Sequence, residues 1–106
     1  MSEAQPTSAE CATWMKALGE PLRLEIVRLL VAGPRTVSAL AEALDVEMTT
    51  ASHHLQVLFH AGLVKVQKDG RFSVYQINPE FLRNNGSAKL ATLDFGCCQV
   101  QMKPNP

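Results

Sequence analysis

Two adjacent cysteines, Cys97 and Cys98, stand after Gly96, and a third, Cys11, lies 86 positions earlier. Thiolates are the ligands that soft ions prefer, so the Cys97–Cys98 pair is a candidate site for arsenite, Cd(II) or another thiophile. Two other roles fit the same side chains. They could form a redox switch through an adjacent-cysteine disulfide, an intersubunit bond or a sulfenic acid, or they could be small buried apolar groups. The neighbours Asp94 and Gln99 bring no positive charge to stabilise a thiolate, which weakens the redox role. Adjacent residues of a regular strand point to opposite faces, so Cys97 and Cys98 converge only if Gly96 permits a bulge or turn. An odd cysteine count with two adjacent members is unlike the spread pairs of a secreted framework, and thiols rather than staples are expected.

A second group of side chains has nucleic-acid chemistry. Thr49, Ser52, His53 and Gln56 share one face of an expected helix with His60, and Ala51, Leu55 and Leu58 share the other. Short polar groups without a carboxylate can meet base edges and phosphate oxygens. Lys65, Lys68 and Arg71 would supply phosphate charge, with Arg71 the best candidate for a backbone or minor-groove contact. His53, His54 and His60 make a poor metal set, since His53 and His60 are two turns apart and His54 lies on the flank. A thiol enzyme would need Cys-x-x-Cys or a phosphate-cradling glycine loop, and the sequence has neither. Binding, not catalysis, is expected.

These residues need elements to hold them. Thr7 and Glu10 form a capping-box pair ahead of a helix over about Ser8 to Leu18, with Gly19 as a left-handed terminator and Pro21 in the next first turn. The second helix carries Leu22, Ile26, Leu29 and Leu30 on one stripe and ends at Gly33 and Pro34. Thr36 caps a third, Val37 to Leu44, and a turn at Asp45 and Val46 leads to the fourth, about Glu47 to Ala61, closed by Gly62. The period then changes to two around Asp69-Gly70, a hairpin signal. Asn78-Pro79 predicts one short helical turn through Arg83, Asn84-Asn85-Gly86-Ser87 a break, and the alternation from Cys98 to Lys103 a strand of about six residues. The expected fold is α+β, mainly α: a winged helix-turn-helix with a two-stranded β wing and a C-terminal strand, in which the fourth helix enters a DNA major groove. It occupies 1–106 as one domain, with a core over 8–83 and a sensing and dimerisation tail over 88–103.

Bulk properties set the limits. A chain of 106 residues with 46% hydrophobic content suits one soluble domain, and no apolar run approaches the roughly 20 residues that span a bilayer, so no membrane partner and a cytoplasmic location are expected. Ten basic and ten acidic side chains cancel, which is unusual for a DNA binder and also allows a winged-helix protein-interaction module. The distribution is uneven, however: residues 1–63 hold four Lys or Arg against seven Asp or Glu, and residues 64–106 hold six against three. A basic face can therefore exist on a neutral protein.

Leu18-Gly19-Glu20-Pro21-Leu22-Arg23-Leu24-Glu25-Ile26, Ala51-Ser52-His53-His54-Leu55, Ala61-Gly62-Leu63-Val64 and Asp69-Gly70-Arg71 together resemble the ArsR/SmtB family of winged-helix repressors over residues 12–77. The resemblance implies a homodimeric repressor on double-stranded DNA with an imperfect inverted-repeat operator, released by an inducer. It puts Met48, Thr49, Ser52 and His53 where the family reads DNA. It also implies a first helix packed near the C-terminal segment, so that Cys11 of either subunit becomes a third ligand beside Cys97 and Cys98. Two family features are missing: the cysteine pair of the third helix is replaced by Thr36 and Ser38, and the tail has no histidine for the metal site of a long final helix. No resident cofactor is implied; arsenite or another soft ion would be an inducer.

Overall fold

A computed structural model describes residues 5–84 and 91–103. Helix α1 (Ser8–Leu18) starts at the expected capping box: the Thr7 hydroxyl accepts from the Glu10 amide at 3.1 Å, and the Glu10 carboxylate accepts from the Thr7 amide at 2.9 Å. Its terminator differs from expectation. Gly19 has φ −80°, not a left-handed value, because the chain turns directly into α2 (Pro21–Leu30), where the Glu20 carboxylate caps the Arg23 amide at 3.0 Å. A Cβ at Gly19 would stand 3.3 Å from the Met15 carbonyl, so close approach to the preceding turn explains the glycine.

Thr36 caps α3 (Val37–Leu44) by accepting from the Ala39 amide at 3.1 Å. Asp45, at φ 55°, turns the chain toward α4 (Met48–His60). The apolar stripes of these helices meet: Ile26, Leu40, Leu55 and Leu58 are completely shielded from solvent, each burial worth about 2 kcal/mol relative to exposure.

The wing is β2 (Val64–Asp69) paired antiparallel with β3 (Phe72–Ile77). Its turn sits one residue later than the sequence suggested. Asp69 pairs with Phe72, so the two central residues are Gly70 and Arg71. Glycine at the first central position, with φ +63°, suits the type II′ hairpin. A two-residue strand, β1 (Arg35–Thr36), adds to β3 and makes the sheet three-stranded in the order β1-β3-β2.

The tail departs further from expectation. The Phe81 amide closes one turn onto the Asn78 carbonyl at 3.0 Å, but no helix follows. Instead β4 (Leu82–Asn84) pairs with β5 (Ala91–Asp94), and β5 with β6 (Gln99–Met102), a second antiparallel sheet that sequence reasoning missed apart from its last strand. That last strand has four residues rather than six and begins after Cys98. The break expected at Asn84–Ser87 falls largely outside the described residues. Leu93, Phe95 and Met102 join the core built on Ile26, Leu30 and Leu55. Trp14 of α1 packs edge-on against Phe81 and tilted against Phe95, with ring centroids 5.0 and 5.3 Å apart. Among the described residues no helix is long and apolar enough to cross a membrane.

Candidate nucleic-acid interface and sulfur cluster

Helix α4 begins without a side-chain cap on its first amides, and its N-terminal half stands beside the wing. Thr36 and Ser38 of the α3 start, Met48, Thr49 and Ser52 of α4, and Arg71 and Phe72 of the wing line one open groove. Of the eight residues expected to meet DNA, the groove gathers four: Met48, Thr49, Ser52 and Arg71. His53 and Gln56 lie further along α4, both exposed, and the Gln56 amide donates to the Tyr75 hydroxyl at 3.3 Å. Lys65 and Lys68 are exposed on β2, and Lys68 Nζ donates to Ser73 Oγ at 3.1 Å.

The groove also contains residues that sequence reasoning passed over. Thr36, expected only as a helix cap and a lost cysteine, and Ser38, expected only as a lost cysteine, have hydroxyls 3.2 Å apart at the groove wall. Phe72 is 53% exposed and Met48 55%, an apolar pair in a polar setting. Apolar groups of this kind can meet a thymine methyl. The position of Phe72 directly after the Arg71 turn was the available signal.

The histidines divide by environment. His54 is half-buried, its Nδ1 lying 3.3 Å from Arg23 Nη1 and 3.6 Å from Glu20 Oε2, so it ties α4 to the start of α2. His53 and His60 face outward, and among the described residues no set of three His, Cys, Asp or Glu side chains is arranged to hold a metal ion in this state.

The cysteines are not all thiols. Cys11 and Cys97 are joined in a disulfide that links α1 to the β5–β6 connection, while Cys98 is free. Gly96, at φ +89°, supplies the turn that lets adjacent residues converge, and Cys97 Sγ lies 3.6 Å from Cys98 Sγ. All three sulfurs therefore gather within one subunit. Cys11 is buried, Cys97 exposed and Cys98 half-buried, so the cluster opens to solvent on the Cys97 side.

Comparison with known proteins agrees with this architecture. A helix-turn-helix domain family matches residues 18–67. The arsenical resistance operon repressor of Staphylococcus xylosus is 38% identical over 96 residues, 89% of this chain and 92% of that protein. Its counterpart from Staphylococcus aureus is 37% identical over 73 residues, 69% of this chain and 70% of that protein. Among solved structures, the homodimeric winged helix-turn-helix DNA-binding domain of a possible ArsR-family transcriptional regulator from Mycobacterium bovis superposes with a TM-score of 0.65. It is 36% identical, covering 74% of this chain and 78% of that one. HlyU from Vibrio cholerae superposes equally well, with a TM-score of 0.65, at 28% identity over 66% of this chain and 76% of that chain. A capped helix-turn-helix, a Gly70-Arg71 wing beside its second helix and an arsenical resistance operon repressor matched over 92% of its length lead to one conclusion: the chain belongs to the ArsR/SmtB family of winged-helix transcriptional repressors.

Proposed function

We propose that this repressor works in the cytoplasm as a homodimer on an imperfect inverted-repeat operator, and that a soft thiophilic inducer, arsenite first among them, releases it by binding Cys11, Cys97 and Cys98 of one subunit. In each subunit α4 would enter the major groove, with Met48, Thr49, Ser52, His53 and Gln56 toward the bases and Lys65, Lys68 and Arg71 toward phosphates. The observation that carries the inducer reading is the convergence of three sulfurs from two distant parts of the chain. Two staphylococcal relatives that control arsenical resistance operons add support.

The chemistry balances simply. Two external thiols reduce the Cys11–Cys97 bond and leave as their own disulfide, and the three protein thiols then condense with arsenous acid to give a trithiolate and three waters. No metal cofactor takes part. A second reading is favoured by the bond itself: peroxide would oxidise the Cys11 and Cys97 thiols to the disulfide, yielding two waters, and oxidation would be the signal.

The test follows the DNA-bound, reduced protein by fluorescence anisotropy during titration with arsenite, Cd(II), Zn(II) and peroxide. Release by arsenite that is lost in a Cys97→Ser, Cys98→Ser protein is the expected result. Release by peroxide alone would favour the oxidative reading. Undiminished release from the double variant, or release by none of the four, would return the cysteines to a packing role.

A further inference from the structure

One side chain reaches from the sulfur cluster to the C-terminal end of α4, the end away from the groove. Trp14 follows Cys11 by three positions on α1, so the two side chains share a face of that helix. Its indole Nε1–H donates to the carbonyl of Ala61, the C-cap of α4, at 2.9 Å. Its ring packs on Phe95, whose amide donates to the Cys98 carbonyl at 2.9 Å and so closes the loop that carries Cys97 and Cys98. Phe81 packs on both rings, with centroids 5.0 Å from Trp14 and 5.2 Å from Phe95.

We propose that Trp14 is the positioning residue through which occupation of the sulfur cluster reaches α4, an inference that rests on the reading of Cys11, Cys97 and Cys98 as the inducer site. Capture of a thiophile sets an atom between sulfurs that are otherwise free or directly bonded, and so resets the spacing of α1 from the Phe95–Cys98 loop. The Trp14, Phe81 and Phe95 rings pack on one another, with centroids 5.0 to 5.3 Å apart, so a shift of Phe95 presses directly on Trp14. The displacement therefore falls on the Trp14–Ala61 hydrogen bond. Helix α4 is about 20 Å long, so a small tilt at its Ala61 end moves Thr49 and Ser52 at the other end against a fixed DNA register. The coupling must be reciprocal: the inducer weakens DNA binding by the same factor that DNA weakens inducer binding.

The test separates inducer binding from release, using the full chain with the Cys11–Cys97 bond first reduced by a phosphine, which becomes the phosphine oxide with water as the oxygen source. Arsenite uptake is read from thiolate-to-arsenic ultraviolet absorption, and DNA affinity from anisotropy with and without saturating arsenite. Trp14→Phe keeps an aromatic ring and removes the N–H donor. It should take up one arsenite per subunit and bind operator within about twofold of the unaltered protein, while the arsenite-induced loss of affinity falls from about tenfold or more to about twofold. Wild-type release in Trp14→Phe would overturn the proposal. As Trp14 is the only tryptophan, its emission in the unaltered protein gives a measurement that needs no variant. The emission should change as arsenite is added and saturate at one equivalent per subunit. Emission that stays constant while arsenite is taken up would overturn the role of Trp14 and leave the site standing. Failure of the unaltered protein to take up arsenite would overturn the site and, with it, the proposal.

Discussion

Gly96 decides whether adjacent cysteines can act together. At φ +89° it occupies backbone space that costs an L-residue about 1–2 kcal/mol, and a Cβ there would meet Pro6 Cγ and Cδ at 3.0 Å. Gly96→Ala is therefore expected to open the turn and separate Cys97 from Cys98. Arsenite affinity should fall by about tenfold or more, the equivalent of that strain, while operator binding without inducer is retained; uptake measured by absorption and binding by anisotropy check this. On the DNA side, Arg71→Ala should weaken binding to every duplex and reduce the salt slope by about one, as loss of one phosphate contact requires. His53→Ala should lower affinity for the operator more than for random DNA. Equal losses from both changes on random duplex would contradict these roles. The need for a turn at Gly96 was legible from the adjacency of the two cysteines. The Cys11–Cys97 bond was not, because 86 positions separate its ends and only the folded tail brings them together.

At the scale of elements, legibility followed length. Ser8–Leu18 and Val37–Leu44 were readable to their ends, because each joins two or three apolar turns to a side-chain cap. The strands β1, β4 and β5 run for two to four residues, too short for a period of two to stand out, and β4 exists because Leu82 pairs with distant Leu93. Asn78 anchors the turn that follows the wing. It is buried, its side chain donates to the Gly62 carbonyl at 2.9 Å and accepts from the Glu80 amide at 3.1 Å, and its own amide donates to the Leu63 carbonyl at 2.8 Å. One residue thus fastens the end of the wing to the end of α4. Asn78→Leu keeps the volume but strips both side-chain bonds. The expected cost is about 2–3 kcal/mol, from polar groups left unpaired, read as a lower midpoint with unchanged slope in urea unfolding.

For the whole molecule, the balance of ten basic and ten acidic side chains has a consequence for how DNA is found. A neutral protein gains little from general attraction to phosphate, so its preference for an operator must come from local contacts made twice, once per subunit. A two-fold dimer presents its two reading helices at one fixed separation and rotation. On the proposed inverted-repeat operator, half-sites are then expected to repeat at about one helical turn, roughly 10–10.5 base pairs centre to centre. Inserting five base pairs between half-sites turns one of them to the opposite side of the duplex, where the second α4 cannot enter its groove. Affinity should drop to that of a single half-site, whereas a monomeric reader would lose nothing. Inserting ten restores the rotation but moves the half-site by about 34 Å, and a rigid dimer should fail there too. Recovery at ten base pairs would mean that the subunits are joined flexibly. In that case inducer capture at the sulfur cluster of one subunit could not be felt by the other, and release would become independent at each half-site.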